Sequence, residues 1–283
     1  MTKAVRLYQG AFGRACMLDS DHDLVTHAHP QCHVLIKVSG ADAAYAVRGK
    51  TVWLTDESLV LINAWEPHSK LQPQPGNRTT VLVLCMEPAW LAEHDPLLSG
   101  SGMPDFFPDP QVALPVSIRR LVDRLIFEVL ATDASGQPNR GVETALSDFM
   151  LAVTHLFAVR RNWIETYRLK MRHRADARIT RAIQYIGEHL DRNITCEELA
   201  ALHNLSRQHF FALFRQCTNM SPILYMNTLR MESAFKSLSE RSTSVNVLAD
   251  DLGFSEPHHF TRFFRRNLGI PPSQYRREVA LLP

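Results

Sequence analysis

Three absences narrow the class of protein to which this chain belongs. The chain has five cysteines among 283 residues, and none of them lies in a Cys-x-x-Cys pair. An odd number of widely spaced cysteines argues against the disulfide framework of a secreted protein. No hydrophobic signal region opens the chain, and no apolar run reaches the roughly eighteen residues that a membrane span needs. We therefore expect a cytoplasmic protein without a membrane segment.

The whole chain has little net charge, but each half has an excess of charges of one sign. The net charge is +2. Residues 1–159 contain 12 basic and 17 acidic side chains, whereas residues 160–283 contain 19 basic and 12 acidic ones. A length of 283 residues predicts two domains with a connector. Because a basic surface attracts phosphates, the second half is the half expected to bind nucleic acid.

That basic half contains one residue pattern twice, about fifty positions apart. In each copy an apolar pair is followed by a serine, then by phenylalanines at helical spacing, and then by a proline and a tyrosine. The first copy contains Leu199, Ala200, Ser206, Phe210, Leu213, Phe214, Arg215, Pro222 and Tyr225. The second contains Leu248, Ala249, Ser255, Phe260, Phe263, Phe264, Arg265, Pro272 and Tyr275.

Each copy has the capping residues of a helix-turn-helix motif. Thr195 with Glu198 predicts a capping box, Ser206 predicts the start of the next helix, and Ser244 and Gly253 predict the cap and the turn of the second copy. These signals predict helix-turn-helix motifs over about 195–217 and 244–267, with a single long helix over 222–239 between them. Two such motifs fit successive major grooves of DNA when they lie about 34 Å apart.

The N-terminal half predicts a small β-barrel followed by helices. Short apolar runs alternate with turn signals, which is typical of a barrel or sandwich. These runs predict strands at 32–38, 43–47, 52–54, 58–62 and 79–86. Two helices follow, and the second has a wide apolar stripe from Val142 to Phe157. That stripe has two interpretations, packing against the barrel or a dimer interface. The charged stretch 168–176 predicts the joint between the domains.

The C-terminal hundred residues resemble the DNA-binding domain of the AraC/XylS family of bacterial transcription regulators, above all over Val247–Arg276. The resemblance implies that 206–217 and 256–267 are the recognition helices. It implies base-facing side chains at Gln208, Phe211, Ala212, Pro257, His258 and Arg262, with Thr261 on the same outward face. Arg262 is expected to pair with guanine, whereas Arg207, Arg215, Arg265 and Arg266 are expected to hold phosphates.

The N-terminal half is similar to the cupin-type sensing domain of many AraC-like regulators. His27, His29, His33 and His68 match the two cupin half-motifs, with His33 where metal-binding cupins have glutamate. The resemblance implies a site for a divalent transition metal, Zn, Fe, Ni or Cu, since neutral imidazole suits all four. The alternative is an organic effector without metal, in a pocket lined by Tyr45, Trp53 and Trp65.

The fold class expected from these features is α+β and multidomain. We expect a cupin-like β-barrel over 1–115, a helical connector and dimerisation region over 116–175, and an all-α domain with two helix-turn-helix motifs over 176–283. The expected function is transcription regulation in response to a small-molecule effector or metal. The expected partners are double-stranded promoter DNA, a second copy in a homodimer and, for an activator, RNA polymerase. The alternative, a metal-dependent cupin enzyme with an appended DNA-binding domain, is disfavoured because no carboxylate and base occur at catalytic motif spacing.

Overall fold

The computed structural model describes residues 2–72, 74, 76–131, 141–159, 176–240 and 243–282. The chain forms two compact units, one of residues 1–161 together with 266–283 and the other of residues 162–265. Except for Asp176, the stretch expected to join the domains lies outside the described residues. The expected domain boundaries at 115 and 175 therefore stay a prediction.

The first unit is built mainly of strands. The strands are β1 (Lys3–Gly10), β2 (Gly13–Ser20), β3 (Cys32–Gly40), β4 (Ala43–Val47), β5 (Lys50–Leu54), β6 (Ser58–Ile62), β7 (His68–Leu71), β8 (Thr79–Met86), β9 (Gln111–Ala113) and β10 (Val279–Leu281). Its helices are α1 (Pro88–His94), a 3₁₀ helix (Pro96–Gly102), α2 (Val116–Leu130) and α3 (Gly141–Phe157). The strands expected around 32–38, 43–47, 52–54, 58–62 and 79–86 are all present.

The ten strands found in the described residues form two hydrogen-bonded sheets. The larger has the order β10-β1-β2-β8-β3-β6-β9, and the smaller has the order β5-β4-β7. Apolar side chains from both sheets meet in one core, in which Leu35 and Val60 of the larger sheet share a cluster with Tyr45, Val52 and Leu54 of the smaller one. Sheets that pack face to face in this way are typical of a sandwich. The described strands thus form a β domain as expected, but they do not close into a barrel.

Most side chains of the apolar stripe of α3 pack inside this unit. Val142, Leu146, Phe149 and Val153 are fully buried, and α3 packs along α2. Burial of these side chains agrees with the packing interpretation, whereas Leu156 near the end of the same stripe is 56% exposed.

The second unit is helical. Its elements are α4 (Ala177–Glu188), α5 (Cys196–Leu202), α6 (Arg207–Thr218), α7 (Pro222–Glu240), α8 (Val245–Asp251) and the greater part of α9 (Pro257–Leu268). The last helix, α10 (Pro272–Glu278), belongs to the first unit. The long helix expected over 222–239 is therefore present as α7. None of the helices in the described ranges is both long enough and apolar enough to cross a bilayer.

The residues expected to cap the helices accept hydrogen bonds from the first turns of those helices. The side chain of Thr195 accepts a hydrogen bond from the Glu198 amide at 3.1 Å, and Ser244 does the same for Val247 at 3.2 Å. Ser206 accepts from the His209 amide at 3.3 Å. Each bond satisfies one of the amides that a helix start leaves unpaired. The repeated sequence signals thus correspond to repeated local structures.

Candidate functional site

The inner face of each recognition helix is fixed by phenylalanines. Phe210 and Phe214 of α6, like Phe260 and Phe264 of α9, are fully buried. In α6 the two rings lie 5.7 Å apart, and in α9 they lie 5.9 Å apart. The spacing i, i+4 puts both rings of each helix on one side. The opposite side of each helix is thereby turned away from the core.

Helix α7 packs on both recognition helices. Near its start the Tyr225 ring lies 5.6 Å from Phe214 of α6, and further along the Phe235 ring lies 5.5 Å from Phe264 of α9. Ten residues of α-helix separate Tyr225 from Phe235, which is about 15 Å at 1.5 Å per residue. A continuous helix therefore connects the two motifs through aromatic contacts at both.

The outward face of α6 carries the candidate side chains of the first motif. Arg207, Gln208, Ala212 and Arg215 are exposed, and Phe211 is 38% exposed. Four of these residues line a shallow depression on the helix: Arg207, Gln208, Phe211 and Ala212. The Arg207 guanidinium lies 2.9 Å from the Glu197 carboxylate, but both side chains are largely exposed, so the pair is weak. Every candidate of the first motif is therefore accessible.

The outward face of α9 is more basic. His258, Arg262, Arg265 and Arg266 are exposed, whereas Pro257 and Thr261 are half-buried. The Thr261 hydroxyl donates to the Pro257 carbonyl at 3.1 Å. Because that hydroxyl is bonded to its own helix, Thr261 is a weaker candidate for a base contact than Arg262.

Two accessible residues of α6 were missed by the sequence reasoning. His209 and Gln216 are both exposed. Gln216 stands fifty positions before Arg266, so the repeat itself contained the signal that it shares the same face. The repeated offset, applied to every outward position, identifies Gln216 as a further candidate.

A second site lies in the first unit, where four histidine rings come together. The ligand nitrogens of His27, His29 and His68 all lie within 4.8 Å of one another. The His33 ring centroid is 4.5 Å from that of His29 and 5.0 Å from that of His68. The structure thus brings together all four histidines that the sequence singled out.

Main-chain bonds hold this cluster in place. A two-way pair of hydrogen bonds, each 2.9 Å long, links the backbones of His27 and His68. The Trp65 amide donates to the His29 carbonyl at 2.6 Å. His33 and His68 themselves lie on β3 and β7, one strand from each sheet. The histidines are therefore positioned by backbone rather than by flexible side chains.

Three of the rings are oriented by carbonyl oxygens. The Nδ1 atoms of His27, His33 and His68 lie 2.7, 3.0 and 2.8 Å from the carbonyls of Val25, Gln31 and Glu66. A carbonyl only accepts, so a neutral ring in this position carries its proton on Nδ1 and leaves Nε2 as the lone-pair nitrogen. This is the arrangement that orients metal-ligating histidines in proteins.

The cluster also disfavours protonation. Burial, with the neighbouring His29 adding to it, lowers the pKa of His27 to about 3. Burial, with the adjacent imidazoles adding to it, holds the pKa values of His33 and His68 well below the usual value. The Nε2 atom of His33 is buried and has no hydrogen-bond partner among the residues that the structure describes. A buried polar atom without a partner is costly and calls for an explanation.

Two of the three aromatic residues expected to line an effector pocket, Tyr45 and Trp53, are not brought together. Tyr45 packs in the core between the sheets, whereas Trp53 is 42% exposed. Tyr45 pairs with Val52, one residue before Trp53, and successive strand residues point to opposite faces. Trp65 lies in a turn with φ of 59°. Tyr45 and Trp53 therefore cannot line one cavity, which corrects the expectation.

Comparisons with known proteins support the helix-turn-helix motifs that the repeat predicts. Residues 199–278 match the family of the helix-turn-helix domain. An HTH-type transcriptional regulator of Haemophilus influenzae is 30% identical over 189 residues, which cover 67% of this chain and 61% of that protein. The HTH-type transcriptional regulator YobQ of Bacillus subtilis is 29% identical over 144 residues, 49% of this chain and 60% of that protein. The matches thus span about three fifths of each relative.

The fold of the whole chain also has a known counterpart. The crystal structure of apo ToxT from Vibrio cholerae superposes with a TM-score of 0.54 at 11% identity, covering 99% of this chain and 97% of ToxT. At that identity the likeness concerns the fold alone. It supports an N-terminal sheet domain followed by a helical one. The helical C-terminal part of this chain is an AraC-type helix-turn-helix domain, the DNA-binding domain of AraC/XylS transcription regulators.

Proposed function

We propose that the whole chain is a transcription regulator that reads promoter DNA with α6 and α9 and responds to a ligand held in its N-terminal unit. One observation carries the proposal: two helices with buried phenylalanine faces and accessible polar faces are joined by a continuous helix. The net charge of +7 in residues 160–283 adds a favourable interaction with DNA phosphates.

The division of labour within α9 provides the test. A guanidinium that pairs with guanine contributes about 1–3 kcal/mol of discrimination, whereas a phosphate contact contributes equally on every sequence. We assign the first role to Arg262 and the second to Arg265. Arg262→Ala should therefore lower affinity on a selected operator while sparing a scrambled duplex. Arg265→Ala should weaken binding to both.

Binding selection from a random duplex library supplies the operator, and titration at two salt concentrations supplies the affinities. Arg124→Ala is the matched control, since it removes one positive charge from α2, which is not part of either motif. Equal losses of affinity for specific and scrambled DNA in both α9 variants would contradict the assigned roles. Failure of the full chain to prefer any selected duplex would remove the proposed function.

The histidine cluster is the proposed ligand site of the N-terminal unit. Its residues fit a divalent transition metal, because oriented neutral imidazoles are preferred nitrogen ligands of such an ion. In the described part of the chain the buried Nε2 of His33 has no hydrogen-bond partner, and its ring lies 4.5 Å from that of His29. His27, His29 and His68 would hold the ion, with His33 as the fourth ligand. A bound metal would supply a fixed positive charge that draws β3, β7 and the segment before β3 together.

Zinc titration of chelator-treated protein tests the site. Calorimetry should give one Zn²⁺ per chain, and Zn²⁺ should raise the melting temperature because a ligand that binds only the native state stabilises it. His33→Gln should weaken binding at least tenfold, whereas His22→Gln, at an exposed histidine, should leave it unchanged. Equal zinc binding by both variants would exclude His33 as a ligand, whereas no zinc binding by the unmodified chain would exclude the metal and leave an organic effector as the remaining candidate.

The cupin relationship, the homodimer and activation through RNA polymerase are further parts of the proposal. The pairing of a His-x-His-x-x-x-His segment with His68 supports the first. For the homodimer, the exposed side chains of Phe127 and Leu130 on α2 and of Leu156 on α3 are the candidate contacts. Sedimentation of Phe127→Asp against the unmodified chain tests the dimer, and in vitro transcription with and without the chain tests activation.

The alternative function, a metal-dependent enzyme, is favoured by the same histidine cluster. Iron-loaded protein that consumes oxygen with a small substrate would support it. We propose regulation instead, because the relatives reported above are regulators and because the described residues around the cluster bring no carboxylate into the group of ligands.

A further inference from the structure

The C-terminal strand of the chain pairs with its first strand. Strand β10 pairs in parallel with β1, in the register Leu7 with Val279 and Gln9 with Leu281. The Leu282 amide donates to the Gln9 carbonyl at 2.8 Å. All these residues lie in the first compact unit. The edge of the N-terminal sheet is thus completed by the last residues of the chain.

Side chains reinforce this docking. The Tyr275 hydroxyl donates to the Gln9 side-chain oxygen at 3.0 Å, and Tyr275 is fully buried. Val279 and Ile270 are also buried. Gly269 has φ of +90°, and a Cβ there would lie 2.9 Å from the Thr2 hydroxyl oxygen, so any other residue would be strained at this point. Residues 269–282, which we call the strap, are therefore built into the sheet domain.

The strap belongs to the second helix-turn-helix motif by sequence. The match to the helix-turn-helix family runs to residue 278 and so includes α10. Just before the strap, the Arg266 carbonyl near the end of α9 accepts a hydrogen bond from the Val25 amide at 3.3 Å. Val25 also supplies the carbonyl that orients the His27 ring. One residue thus contacts both the histidine cluster and the end of a candidate recognition helix.

We propose that the strap is a releasable restraint that couples the N-terminal unit to the second helix-turn-helix motif and opposes DNA binding while docked. This inference rests on the proposed function. The strand pairing itself is only three residues long, lies at a sheet edge and is parallel, so it can open locally while the rest of the sheet stays folded. While docked, the strap ties a basic helix end to a part of the chain, residues 1–159, whose net charge is −5 and which repels phosphates.

Two release variants and one control test the strap in the full chain. Deletion of residues 279–283 removes β10, and Val279→Asp places a carboxylate at a buried position. Leu281→Asp adds the same charge to the same strand at a side chain that is 58% exposed. Both release variants should bind the selected operator at least threefold more tightly than the unmodified chain, whereas the control should stay within twofold.

Hydrogen exchange shows whether the strap has opened. The amides of β1 should exchange faster in both release variants without DNA, and faster in the unmodified chain once operator is added, because coupling between two sites is reciprocal. Unchanged β1 exchange in the deletion variant overturns the docking. Faster exchange with equal or weaker DNA binding overturns the restraint. A chain that selects no operator fails the proposed function instead, and the exchange of β1 in free protein still reports on the docking.

Discussion

Asn204 and Gly253 occupy the same place in the two helix-turn-helix motifs, forty-nine positions apart, and both have a left-handed backbone, with φ of 54° and 71°. The two turns therefore have the same geometry although their side chains differ. Asparagine and glycine are the residues that adopt this conformation most readily. Only at Gly253 is the space also closed, since a Cβ there would lie 2.8 Å from the Arg192 backbone.

This difference predicts unequal costs of substitution. Gly253→Ala should lower the free energy of unfolding by at least about 1–2 kcal/mol, because the alanine is strained at positive φ and meets Arg192. Asn204→Gly should change it by less than about 1 kcal/mol, since glycine accepts the same turn. Urea unfolding followed by circular dichroism measures both. Equal stability of the two variants would contradict the close approach.

Substitution of an inward-facing phenylalanine should lower stability, whereas substitution of an outward-facing one should lower DNA affinity. Phe260→Ala should cost about 3–5 kcal/mol of unfolding free energy, because the ring is fully buried. Phe211→Ala, at a ring that is 38% exposed, should cost less than about 1 kcal/mol and act on operator affinity instead. Urea titration and gel-shift titration of the same preparations check the pair. A large loss of stability for Phe211→Ala would place that ring in the core.

The histidine cluster should make stability depend on pH. Burial lowers the pKa of His27 to about 3 and holds those of His33 and His68 well below the usual value near 6.5. Below pH 6.5 the unfolded chain therefore binds more protons than the folded chain, so the stabilisation present above that pH is lost as the pH falls toward the folded values. The metal-free protein should melt at a lower temperature at pH 5.5 than at pH 7.5.

Replacement of one ring tests the source of that loss. His33→Gln should make the pH dependence shallower by up to about 1.4 kcal/mol per pH unit, the limit for one proton. His22→Gln, at an exposed ring, is the control. An equally steep decline in both variants would assign the acid sensitivity to other groups.

The cysteines should differ in reactivity. Cys16, Cys32, Cys85 and Cys196 are buried, whereas Cys217 is partly exposed. Burial, with the neighbouring Cys85 adding to it, raises the pKa of the Cys16 and Cys32 thiols to about 12, so few thiolates form near pH 8. Iodoacetamide should label Cys217 first in native protein and all five in urea, as measured by mass spectrometry. Early labelling of Cys16 or Cys32 would show that the sheet domain opens.

Local signals determined the helical part. The caps at Thr195, Ser206 and Ser244 and the phenylalanines at i, i+4 act within one or two helical turns, so their consequences can be read from neighbouring residues. The repeat strengthened the prediction, because the same caps and phenylalanine spacing occurring twice indicate the same motif in both places. The motif boundaries, the long helix α7 and the accessible arginines followed from this pattern.

Only the tertiary structure decided what the N-terminal half does with its residues. Two sheets packed face to face instead of a closed barrel, most of the α3 stripe was covered by its own unit, and Tyr45 and Trp53 separated onto opposite faces. The pairing of β10 with β1 joins residues more than 270 positions apart, and no local pattern encodes such a partner. Sheet pairing depends on which edge is free once the rest of the chain has folded. For that reason the sequence by itself determined the DNA-binding motifs and singled out the four histidines, whereas only the folded chain decided that the strap pairs with β1.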